Sequence, residues 1–166
     1  MGKVQKGFGN GRPGAISRSV DDIVITVKNA GSADIPFGAP VFLGSGGAVP
    51  FNTGTPQDFD AFLGFAVRIA DKTPEVYPSG QYNDPPESAW KPGDVMEVLV
   101  RGGIVAEISS GGSAGGKVYI RKSDGALTTS AGQSGTTVLL ENVRIRNPRN
   151  TYGATAEVIV NKRNIL

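Results

Sequence analysis

Residues 94–101 read DVMEVLVR, and the fold class turns on them. Met96, Val98 and Val100 fall on one side of an extended chain, while Val95, Glu97, Leu99 and Arg101 fall on the other. This is the period of two that side chains keep along a strand. Working outward, the same spacing recurs. Ile23, Ile25 and Val27 alternate with Val24, Thr26 and Lys28 after an Asp21-Asp22 turn signal, and Phe65, Val67 and Ile69 alternate with Ala66, Arg68 and Ala70. Val105 and Ile108, Val118 and Ile120, Val143 and Ile145, and Val158 and Val160 continue the series. Val, Ile, Thr, Tyr and Phe suit a pleated, half-buried surface. No run of a dozen residues offers a capped period of 3.6. The pattern predicts an all-β chain.

Turn residues agree. Gly31-Ser32, Pro92-Gly93, Gly102-Gly103, Asp124-Gly125 and the glycine clusters at 44–47, 111–116 and 132–135 break the chain at short intervals. Many short strands with glycine-rich turns indicate a β-barrel or a sandwich rather than βαβ units. At 166 residues the chain suits one compact domain, read here as residues 21–166. Residues 1–20, rich in glycine and without an acid, read as an extended basic N-terminal arm. Residues 73–90 form a proline-rich loop containing Pro74, Pro78, Pro85 and Pro86, and a loop of that length is usually functional or docked on a neighbour.

Composition narrows the chemistry. The chain has no histidine and no cysteine. Histidine-based triads, thiolate nucleophiles, disulfides and Cys-ligated zinc are therefore out. No apolar run approaches the roughly 20 residues that span a bilayer, and the opening MGKVQKGFGNGRPG has bases but no apolar segment after them. The chain reads as soluble, without a membrane partner. Its net charge of +2 is unevenly spread, with nine acids against four bases in residues 57–107 and six against thirteen elsewhere. Such a distribution suits head-to-tail or isologous contact between copies as well as it suits nucleic acid, beside the reading of plain solvated surface charge.

The motifs that look chemical fail on context. Gly9–Gly14 fits G-x-G-x-x-G but lacks a preceding strand, and Pro13 removes an amide. Residues 111–117 match the first part of a phosphate loop, yet Val118 stands where Ser or Thr would hold magnesium, and the following residues alternate like a strand. Asp58 and Asp60, with Asp71 and Glu75 further on, invite a calcium site or an acid/base pair, but the EF-hand pattern is missing and spacing in sequence does not set the distance between carboxylates. Arg144, Arg146 and Arg149 form a basic stripe with only Tyr152 near as a stacking platform, too little for a dedicated nucleic-acid binder. No Ser and Lys pair is singled out. The residues predict no enzyme, no cofactor and no metal.

One ordered series of short motifs remains. Pro13-Gly14 is followed by Ile35-Pro36-Phe37-Gly38 and Val41, then by Gly64-Phe65-Ala66-Val67-Arg68. Pro92-Gly93-Asp94 leads into Val98-Leu99-Val100-Arg101-Gly102-Gly103-Ile104, and Ala114-Gly115-Gly116-Lys117-Val118-Tyr119 and the alternating residues 156–160 close the series. In this order the chain resembles the structural cement, or capsid decoration, proteins of tailed bacteriophages. The resemblance implies a β-barrel-like domain on the outer surface of the virion capsid, usually a homotrimer, tying neighbouring major capsid protein subunits together without catalysis or cofactor.

On that reading the arm brings Lys3, Lys6, Arg12 and Arg18 to acidic capsid surface, with Phe8 as an anchor. The 73–90 loop brings Tyr77, Tyr82 and Trp90, residue types enriched at interface hot spots. Trp90 has a second reading, as a plug of the barrel end. The competing function is a β-sandwich binding module, carbohydrate-binding or tail-associated, reading its ligand with Trp90, Tyr77 and Tyr82. A hydrolase on Asp58 and Asp60 ranks last.

Overall fold

The computed structural model describes residues 10–17, 21–69, 89–150 and 153–164. The strands are β1 (Ile23–Lys28), β2 (Ile35–Pro36), β3 (Pro40–Gly44), β4 (Gly47–Pro50), β5 (Phe62–Ala66), β6 (Ala89–Trp90), β7 (Val95–Glu107), β8 (Lys117–Arg121), β9 (Leu127–Thr128), β10 (Thr137–Asn147) and β11 (Thr155–Val160). A short 3₁₀ turn, Phe59–Ala61, precedes β5. The all-β expectation holds. The hydrogen-bonded order is β4-β3-β5-β7-β11-β10-β8-β9, with β1 also on β7 and β2 paired with β6 as a separate ribbon.

β7 is the strand that both halves share. Its first part pairs with β1 and β5, and its second part pairs with β11. Met96, Val98 and Val100 enter one core with Ile35, Phe37, Val41, Leu63 and Trp90. Leu99 enters the other, with Phe42, Phe62, Phe65, Val118, Leu140 and Val158. Beyond the glycine pair, Ile104, Ala106 and Ile108 join that second core. The residues facing it thus switch from odd to even numbers within one strand.

A period-two chain can change phase only by gaining a residue, and the register shows where it does. Ile23 faces Arg101 and Val24 faces Leu99, leaving Val100 unopposed, which is a β-bulge. Gly102 follows at φ 118°, where a side chain would come within 1.9 Å of the Asp22 carboxylate. Gly102-Gly103, which the sequence reads as a break between strands, therefore lies inside a continuous one.

β5 is enclosed on both faces: Phe62 and Phe65 belong to the β7–β11 core, Leu63 and Ala66 to the other. The alternation expected to run on to Ile69 stops as a strand at Ala66, though the Val67 amide still donates to Glu97 O at 2.9 Å. Phe51, Phe42, Phe62 and Phe65 form a chain of ring contacts with centroids 5.4, 5.7 and 5.5 Å apart. Each such contact adds about 0.5–1.5 kcal/mol beyond area burial.

Of the two expected architectures, the barrel is not formed and the sandwich is. The first half curls until Ala30 N donates to Ala48 O at 2.8 Å beside a single parallel bridge, Asn29 to Ala48. No further pair extends that bridge among the described residues, and β4 and β9 end the order apart. Because β7 carries partners of both halves, the sheet folds over into two layers around the larger core.

Asn29 holds the curl. It is buried, donates its side-chain amide to Ala33 O at 3.2 Å and Trp90 O at 3.1 Å, and accepts from Gly31 N at 3.0 Å.

Trp90 is 1% exposed, stands edge-on to Phe37 at 5.9 Å and donates its indole N–H to Val67 O at 3.0 Å. Of its two sequence readings, the side chain takes the core one. Trp90→Ala is expected to cost about 3–5 kcal/mol in chemical denaturation. Trp90→Phe, which keeps most of the bulk but leaves the Val67 carbonyl unpaired, is expected to cost about 1–2 kcal/mol.

Candidate functional site

The motif series converges in space. Gly14 N donates to Val105 O at 2.8 Å, Arg68 N donates to Gly14 O at 2.8 Å, and Gly38 N donates to Ala66 O at 2.8 Å. The Arg68 side chain donates from Nε to Pro13 O at 3.2 Å and lies over the Phe37 ring at 5.0 Å from its centroid. Burial, then the neighbouring Arg12 cation, pushes Arg68 below the usual arginine range. The backbones come so close that a Cβ at Gly38, itself at φ +76°, would lie 2.7 Å from Gly14 N and 2.9 Å from Val105 O. The recognisable residues thus build a packed seam. It is a structural joint made of backbone contacts.

The seam changes the extent of the arm. Ser17 N donates to Gly103 O at 2.8 Å, Val105 N donates to Ala15 O at 2.9 Å, and Ile16 bridges Ile104. Asn10 Nδ2 donates to Pro148 O and Thr155 O, both at 2.9 Å. Residues 10–17, part of the segment read from sequence as an extended arm, are hydrogen-bonded onto β7 and its neighbours, because their amides complete a sheet edge. Arg12 is exposed on this segment. Lys3, Lys6, Phe8, Arg18, Tyr77 and Tyr82 lie outside the described residues. Only Arg12 and Trp90 of the eight candidates are described, and they are not brought together: one is on the surface, the other in the core.

The look-alike motifs resolve as packing. In residues 9–14 the Gly14 amide goes to Val105 O and the Ala15 amide to Arg12 O at 3.1 Å. In the 111–116 loop Gly115 N donates to Ile145 O at 2.8 Å and Gly116 N to Ser113 O at 2.9 Å, and Lys117 opens a strand. These amides are already used by the protein's own carbonyls. Asp58 and Asp60 stand exposed at the 3₁₀ turn, and Asp58 makes no cap hydrogen bond. The arginine stripe is shorter than expected. Arg149 lies beyond β10 and donates to Gly153 O at 3.1 Å and Ile108 O at 3.1 Å, so only Arg144 and Arg146 share the strand.

One open surface is the outer face of the β11-β10-β8 sheet. Val118 and Ile120, Val138 and Leu140, Val143 and Ile145, and Val158 and Val160 point inward. The residues between them point out. Across this face Tyr119 pairs with Leu139, Lys117 with Arg144, and Arg144 in turn with Ile159. Tyr119, Leu139 and Ile159 are half-buried. Arg146 lies 3.6 Å from Glu157, which also accepts from Asn147. Arg121 Nε donates to Asp124 at 2.9 Å, which holds that carboxyl below the usual range. Sequence reasoning passed over Tyr119, Leu139 and Ile159. The signal was present as apolar residues on both phases of these strands, but period alone does not say which phase is outside.

An all-β sandwich whose recognisable residues are a packing seam, with its charge spread over open sheet faces, is the build of a structural binding protein. The family model described as structural cement protein (E217 gp24/Pam3 gp6) matches residues 2–161. The chain belongs to this phage cement family, whose members are structural proteins of the virion capsid. No curated protein sequence matches it. Among solved structures, a chain from the capsid of Myoviridae phage XM1 is similar in fold, with a TM-score of 0.69 at 15% identity over 97% of this chain and 96% of that one.

If the seam is what the motifs encode, Gly38→Ala should be severely destabilising without touching any exposed side chain. A loss of about 2–3 kcal/mol is expected from the left-handed backbone and the close contacts together. Hydrogen exchange should show lost protection at the Gly14, Ser17 and Val105 amides.

Proposed function

We propose that the protein is a non-enzymatic capsid cement protein, a homotrimer on the outer surface of the shell that ties neighbouring major capsid protein subunits together. The observation that carries the reading is the family match across residues 2–161, since it spans the whole β sandwich together with the seam. The physical task is modest per copy. A packaged genome pushes outward, and a protein that binds the assembled shell better than free subunits adds its binding free energy to each junction. An ordinary interface buries about 1,600 Å² in total, and repetition over a shell multiplies many modest contacts.

A stiff sandwich suits that task because a body already ordered loses little entropy on docking. The N-terminal segment is a candidate contact, with Lys3, Lys6, Phe8, Arg12 and Arg18 as its capsid-directed residues. The 73–90 loop is another, through Tyr77 and Tyr82. Trp90 itself lies in the core, where its indole N–H donates to Val67 O at 3.0 Å. The carbohydrate-binding alternative is weakened by the same fact, because an aromatic platform needs exposed rings and Trp90 is enclosed.

Truncation tests the arm. Removing residues 2–9 should leave the melting temperature within a few degrees of the full chain and reduce binding to purified shells. Full occupancy of shells by that variant would overturn the arm contact. Removing residues 2–17 should lower stability by several kcal/mol, since it strips the hydrogen bonds to Gly103, Val105 and Arg68 and costs roughly 1 kcal/mol for each.

A further inference from the structure

We propose that the outer face of the β11-β10-β8 sheet is the surface that docks on the shell, and that the shell presents carboxylates to it. The inference rests on the cement reading above and adds to it the docking face and the chemistry of the partner.

Lys117 and Arg144 are cross-strand partners on that face, just past the register shift between Leu140 and Arg144. Like charges so placed repel and destabilise the sheet that carries them. Among the described residues no acid pairs with either. The Arg144 guanidinium turns instead to its own strand, donating to Glu141 O at 2.9 Å and Val143 O at 2.8 Å. The other two bases of the face differ in this respect, since Arg146 has Glu157 and Arg121 has Asp124. A repelling pair with no ion pair to an acid among the described residues is relieved by a carboxylate arriving from outside.

The surroundings favour a protein partner. Tyr119, Leu139 and Ile159 form a half-buried apolar floor beside the pair, as interface cores combine apolar floors with charge at the rim. Charge over the wider half has the same sign, with eight bases against three acids in residues 108–164. A single-stranded nucleic acid would instead call for several stacking rings along the groove, and among the described residues this floor has one, Tyr119.

The test uses the full chain and shells of its phage stripped of the protein. The double variant Lys117→Glu, Arg144→Glu should bind shells at least tenfold more weakly than the unchanged chain. Lys28→Glu, on the exposed face of β1, should bind normally. Lys117→Thr should keep or raise the melting temperature, because it removes the repulsion, while weakening binding several-fold. Binding by the unchanged chain should fall with added salt, and less steeply for the double variant.

Normal binding by the double variant would overturn the docking face and leave the cement reading standing. A lower melting temperature for Lys117→Thr would make the pair structural and overturn the inference. Tight binding of a single-stranded DNA oligonucleotide, lost in the double variant, would put phosphate in place of carboxylate and also overturn it. Failure of the unchanged chain to bind shells would sink the cement reading itself.

Discussion

The chain from Val95 to Glu107 has to satisfy backbone hydrogen bonds on both edges while burying side chains on both faces. That demand shapes the rest of the molecule. A strand enclosed this way cannot end a sheet, so β1, β5 and β11 are drawn to it, the first two in one layer and β11 in the other. Two cores result, with Val98 in one and Leu99 in the other. The bulge before Gly102 then lets the strand's second part return to the core that Leu99 began. Without that extra residue, Ile104, Ala106 and Ile108 would point away from Val158 and Leu140.

The seam shows why a family likeness spread over short motifs can be specific. Pro13-Gly14, Phe37-Gly38 and Gly64–Arg68 are each weak on their own, since each is a strand end or a turn. Together they are constrained by one another: Gly38 has no room for a side chain because Gly14 and Val105 are already there. What such motifs preserve is a joint, and a joint carries fold rather than reaction chemistry. The function of a lattice-bound protein lies on its open faces, where many residues are compatible with the fold.

Much was legible along the chain, and the reasons for the rest are physical. The strand over Ile23–Lys28 and the alternation of Met96, Val98 and Val100 against Leu99 appear in the structure as the spacing implied. The glycine pair at 102–103 read as a turn, because a local signal cannot distinguish a turn from a bulge inside a strand. Arg12 read as part of an extended arm, and nothing nearby in sequence shows that the amides around it find partners on Val105 and Gly103, some ninety residues on. Trp90 was open between surface and core for the same reason: its decisive partners are Phe37, Val67 and the Asn29 side chain.

By itself the sequence determined what short-range chemistry determines: an all-β chain, strands of a given period, turns rich in glycine, and an absence of histidine and cysteine that removes whole classes of catalysis. Tertiary structure alone decided that the layers form a sandwich and not a barrel, that residues 10–17 belong to the body, and that Lys117 and Arg144 face each other. Alternation is a property of neighbours along the backbone, whereas inside and outside, or partner and stranger, are settled only when distant strands choose their register.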